Sequence, residues 1–188
     1  MLFRSISGDG ASQLSSAVLA NNKIEKFNDI PIKEMRADSL TTLELPEKNI
    51  GVVGGLIVAG LMPVMGSLTE VDVRYNNISG NAASQLSAVV LANTKIEKFN
   101  EIPIKEMRAD SLTELNLSLK GIGIEGSMVV AGLMPLMASL TSVDLSWIEL
   151  GPAGVKALVD GGAFTASLMS VDLSRNRLGP AEIGRAHV

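Results

Sequence analysis

The chain contains itself twice. Residues 11–45 return as residues 83–117 with 29 of 35 positions identical, and the same offset of 72 carries VAGLMPVMGSLTEVDV (58–73) onto VAGLMPLMASLTSVDL (130–145). Self-similarity at a fixed period is the mark of a repeat array, in which each unit buries its apolar face on its neighbours. Such an array exposes an extended surface, so function is sought there before it is sought in a buried pocket.

A finer period runs inside the large one. SLTTLEL, SLTEVDV, SLTELNL, SLTSVDL and SLMSVDL share an apolar-x-x-apolar-x-apolar pattern led by Leu40, Leu68, Leu112, Leu140 and Leu168. Ile24 and Ile96, each with Phe three residues on, lead weaker copies. From Ile24 the steps are 16, 28, 28, 16, 28 and 28 residues, so the 72-residue unit is 28 + 28 + 16. Strict alternation gives a short strand with one buried face. The apolar residues that follow recur at helical spacing, as in Leu56, Val58, Ala59 and Met62. Each 28-residue unit therefore reads as strand, turn and returning helix, with the next strand parallel and the crossover right-handed.

This pattern resembles the leucine-rich repeat, L-x-x-L-x-L-x-x-N-x-L. SLTEVDVRYNNI matches it with Leu68, Val71, Val73, Asn76 and Ile78, and SLMSVDLSRNRL with Leu168, Val171, Leu173, Asn176 and Leu178. The 28-residue length and Gly-rich helical stretch resemble the ribonuclease-inhibitor subclass. The resemblance implies an α/β fold: a right-handed solenoid with a curved parallel sheet on its concave side and helices and short extended segments on its convex side. It also implies an inward Asn that hydrogen-bonds loop backbone. Lys48, Lys120 and Ile148 stand at that position in three repeats, whose turns must be satisfied otherwise.

Strands are expected near 24–28, 41–45, 69–73, 97–101, 113–117, 141–145 and 169–173. Helices are expected near 9–20, 52–62, 81–92, 124–134 and 152–159. Pro63 and Pro135 should end their helices early, since proline lacks a donor and clashes with the preceding turn. The 16-residue units leave no room for a long helix over 29–39 or 101–111.

The two ends break the pattern. IGRAHV (183–188) and MLFRS (1–5) resemble translated short-read sequencing adapters, and the internal homology stops at Ile6. Residues 1–5 and 183–188 are therefore expected to be foreign to a repeat array spanning 6–182, read as a fragment of a longer one. His187, the only histidine, then falls outside the native segment.

With no cysteine and no native histidine, the usual transition-metal and Ser-His-Asp or Cys-His arrangements have no members. No catalytic residue, metal or cofactor is assigned, and the chain is read as not an enzyme. Net charge of −4 argues against a nucleic-acid surface. No apolar run reaches the ~18 residues of a membrane span. The lack of cysteine points toward the cytoplasm, because disulfide-capped ends are common in extracellular relatives. Gly121-Ile122-Gly123-Ile124-Glu125-Gly126 is a literal G-x-G-x-x-G with Asp144 18 residues on. It is the one dinucleotide-like pattern, the remote enzyme alternative, but the first copy lacks its leading glycine.

The surface signal is a pair of columns. The variable residue inside each L-x-L gives Asn28, Glu44, Asp72, Asn100, Asn116, Asp144 and Asp172. The position two past the last apolar residue gives Glu47, Tyr75, Leu119, Trp147 and Arg175. The acids are either a recognition surface or simply the usual residues of the pattern. The aromatics either anchor a partner or pack on their own loops. Tyr75, Trp147, Glu70, Asp72, Arg74, Glu44, Asp144, Asp172 and Arg175 are the candidate contacts for a protein partner of basic character. The resemblance implies an inhibitor, sensor or scaffold role, with regulation of a small GTPase as the alternative. Uncapped ends of the array would favour self-association.

Overall fold

The computed structural model describes residues 8–176. The ends expected to be foreign, 1–5 and 183–188, lie outside the described residues. The chain divides into two compact units, one up to Ile96 and one from Glu97.

The first unit contains α1 (Asp9–Ala20), α2 (Ile32–Arg36), β1 (Thr42–Glu44), α3 (Gly51–Leu61), β2 (Glu70–Asp72) and α4 (Gly80–Ala92). Strands β1 and β2 pair in parallel, with Leu43 opposite Val71 and Glu44 opposite Asp72. Leu43, Leu45, Val71 and Val73 are buried while Glu44 and Glu70 face out, the period-two alternation of a half-buried strand. In the second unit, β3 (Lys98–Phe99) and α5 (Ile104–Arg108) precede β4 (Glu114–Asn116), α6 (Gly123–Leu133), β5 (Ser142–Asp144), α7 (Gly151–Asp160) and β6 (Ser170–Asp172). Here Asn116, Asp144 and Asp172 align on three parallel strands.

Helix α3 is buried on nearly every side because it packs between α1 and α4. Its glycines allow that approach. A Cβ on Gly55 would lie 2.9 Å from Ile78 Cγ2 and 3.2 Å from Ala82 Cβ, both in the core. Gly55→Ala should therefore cost about 1–3 kcal/mol by overpacking, outweighing alanine's better helix propensity. A lower urea midpoint with an unchanged slope would register it, and an unchanged or higher midpoint would contradict the close packing. Prolines act as expected. Helix α3 stops at Leu61 and α6 at Leu133, each followed by one 3-10 turn that carries Pro63 or Pro135.

Segments 29–39 and 101–111 hold only the five-residue helices α2 and α5, both IKEMR. Their apolar residues, Ile32, Met35, Ile104 and Met107, turn inward. Arg36 donates to the carbonyls of Val18, Leu19 and Ile24, so its guanidinium satisfies the C-terminal end of α1. The interleaved charges pair locally, Lys33 with Glu25 at 2.7 Å and Lys105 with Glu97 at 2.9 Å.

Two expected strands differ. No strand forms over 24–28, and the one expected over 97–101 shortens to Lys98–Phe99. In each, Phe and Ile exchange backbone hydrogen bonds across a tight reversal, Phe27 with Ile30 and Phe99 with Ile102. The two central residues are Asn28 and Asp29, or Asn100 and Glu101, all at positive φ. That is the backbone of a mirror-image hairpin turn, which asparagine tolerates. Asn28 and Asn100 therefore leave the strand column. Asn28 is exposed in its turn, while Asn100 is fully buried.

Candidate protein-interaction surface

The site is built from what happens just after each strand. Asp72 Oδ1 accepts the backbone N–H of Arg74 at 3.0 Å, Asp144 Oδ1 that of Ser146 at 2.9 Å, and Asp172 Oδ1 that of Ser174 at 2.8 Å. Asn116 does the same for Ser118 at 3.0 Å. Each of these four column residues thus starts an Asx turn, a job that the sequence pattern alone did not reveal. Asp172 is held below the usual carboxylate range by the N–H and hydroxyl of Ser174.

The residue after each such turn is Tyr75, Leu119, Trp147 or Arg175, with φ between 56° and 62°, as is Glu47 at 58°. This left-handed region is unfavourable for bulky L-residues, costing about 1–3 kcal/mol each. The strained conformation throws the side chains outward: Tyr75 is 47% exposed, Leu119 69% and Trp147 53%. Of the two readings of the aromatics, packing on their own loops is therefore at most partial.

Both rings carry a guanidinium. Arg74 sits 5.9 Å from the centre of the Tyr75 ring, and Arg175, one repeat on, 5.6 Å from that of Trp147. Arg74 also clamps Asp72 with two bonds, Nε to Oδ1 at 2.9 Å and Nη2 to Oδ2 at 2.7 Å. Glu44 stands beside Asp72 on the neighbouring strand, and Glu70 is exposed at the start of β2.

The turns are held from inside by asparagine. Buried Asn76 donates from Nδ2 to the carbonyls of Leu45 (2.6 Å), Val73 (2.9 Å) and Arg74 (3.2 Å), and Oδ1 accepts from Ile50 N. Asn176 repeats this with Leu145 and Leu173 as acceptors and Ile148 and Leu150 as donors. Where Ile148 replaces Asn it is simply buried, and the hydroxyls of Ser118 and Ser146 pair at 2.8 Å instead. Lys48, in another such position, is exposed.

One notable residue escaped sequence reasoning. Glu125, in the first turn of α6, is only 3% exposed. Its Oε1 accepts from Asn100 Nδ2 at 3.2 Å, and Asn100 also donates to Ile122 O at 3.0 Å. Burial pushes this carboxyl up to about 8, against hydrogen bonds from its own N–H and Asn100 that favour the charged form. The available signal was the copy difference, since the residue 72 positions earlier is Val53. Glu125 also bears on the G-x-G-x-x-G. A Cβ on Gly123 would meet its carboxyl oxygens at 2.8 Å, so an acidic group occupies the turn where a pyrophosphate would have to approach.

Among the described residues no cluster of three or more His, Cys, Asp or Glu side chains could hold a metal ion. No described helix is long and apolar enough to cross a membrane.

No curated protein matches the chain. A leucine-rich repeat family model matches residues 67–87 and 137–159. The first match spans β2, the Tyr75 turn and the start of α4; the second spans β5, the Trp147 turn and most of α7. Domains of this repeat commonly mediate protein–protein interaction and are typically non-enzymatic. These two matches, lying on parallel strands that lead into helices, support a leucine-rich repeat protein.

Proposed function

We propose that the chain is a protein-interaction module of the ribonuclease-inhibitor-like kind, whose partner docks on the outward strand face and the turn row beside it. The observation that carries this is the left-handed backbone at Tyr75, Leu119 and Trp147, which spends conformational energy to keep large apolar side chains in solvent. In the first unit the contacts are Tyr75, Arg74, Asp72, Glu70 and Glu44. In the second they are Trp147, Arg175, Asp144 and Asp172. The carboxylates favour a basic partner and act chiefly on its rate of association. An inhibitor, sensor or scaffold role inside the cell fits this surface.

Trp147→Ala should weaken binding of a partner at least tenfold while leaving the thermal midpoint in place, because buried interface aromatics dominate binding energy. Asp144→Asn should mainly slow association and reduce its salt dependence. Normal binding by Trp147→Ala, or a loss of stability as large as the loss of binding, would make the indole a packing residue and move the surface elsewhere.

A further inference from the structure

The two units are near-copies, but their aromatic turns are wired differently. At the offset of 72, Arg74 becomes Ser146, Tyr75 becomes Trp147 and Glu47 becomes Leu119. In the first unit the arginine comes from the residue before the ring and is locked to Asp72, with both side chains only 21% exposed. In the second the arginine comes from the next repeat. Among the described residues Arg175 forms no ion pair or hydrogen bond, so the ring is its one described partner. Asp144, with serine in place of the arginine, spends Oδ1 on the N–H and hydroxyl of Ser146, and among the described residues no cation pairs with it or with Asp172.

We propose that the Trp147 ring is an exchangeable cation seat, with Arg175 as its resident occupant and a lysine or arginine of a basic, extended partner segment as its functional one. The inference rests on the interaction-module reading and sharpens it to one turn and one chemistry. A cation over an indole gains about 0.5–1 kcal/mol when exposed and more when desolvated. An incoming side chain gains that contact and also meets the carboxylates of Asp144 and Asp172, which stand side by side on β5 and β6. Among the described residues Arg175 leaves without breaking an ion pair. At Tyr75 the same exchange would break the two-bonded Arg74–Asp72 pair, so that turn does not exchange.

Trp147 is the only tryptophan, so its emission reports the seat directly. The probe is an acetylated, amidated decapeptide of alternating arginine and glycine, titrated at low salt, with a glutamate–glycine peptide as control. The basic peptide should change the emission saturably. Arg175→Ala should bind it at least threefold more tightly, Asp144→Asn at least threefold more weakly, and Lys33→Ala, exposed on α2 of the first unit, as the parent does. Unchanged circular dichroism of each variant keeps the comparison on binding. The exchange is overturned if the basic peptide gives no saturable change, if Arg175→Ala binds equally or more weakly, or if the acidic peptide binds more tightly. Those results leave the module reading standing, because its own test is the loss of partner binding in Trp147→Ala.

Discussion

Glu125→Val should make the chain more stable than its parent at pH 8, and the two should converge as the pH falls toward 4.5. In the folded chain the buried carboxyl holds its proton up to about 8, whereas its ordinary value is 4.5. The folded pKa is raised, so the contribution of neutral Glu125 is fully present below about 4.5. It is lost as pH rises, by about 1.4 kcal/mol per pH unit, until the folded group ionises near 8. Valine, the residue of the first copy at Val53, carries no such dependence. Urea midpoints of parent and variant, measured between pH 4 and 9, should diverge across the window and run parallel above it. Parallel curves throughout would mean that Glu125 reaches solvent.

Asn76→Ala should cost about 3 kcal/mol or more, an unusually large effect for one side chain in a loop. The loss would strand the carbonyl of Leu45 and the N–H of Ile50 in the interior, and an unmet buried polar group costs about 1–3 kcal/mol. Asn176→Ala should behave alike. Asn22→Ala, exposed and without a positive φ, should change little. A urea midpoint for Asn76→Ala within error of that for Asn22→Ala would show that water satisfies these groups.

Where the sequence was legible, it was so because one residue type dictated one outcome. Leu-x-x-Leu-x-Leu placed β1, β2, β4, β5 and β6, and Pro63 and Pro135 stopped α3 and α6. The pattern misled at Ile24-Glu25-Lys26-Phe27, which has strand spacing but runs into two residues at positive φ. The apolar period is blind to that; the Asn28-Asp29 pair was the local clue. The identities of the surface residues were legible, but their employment was not. That Asp144 would fold its own turn, or that Arg74 and Arg175 would cover their rings from different directions, depends on the backbone conformation after the strand. Glu125 was hidden because a carboxylate on a helix ordinarily reads as solvated.

The side-chain stitches between turns also have a mechanical meaning. Asn76 reaches back 31 residues to Leu45, and Asn176 reaches back 31 residues to Leu145. Ile148 cannot reach back to Leu117, so between the turns after β4 and β5 the second unit is joined by backbone bonds and one hydroxyl pair. That join is a seam. When the second unit is stretched or partly denatured, it should part there first. The amides of Leu117 and Leu119 would then exchange with solvent sooner than those of Leu145 and Trp147 one repeat on.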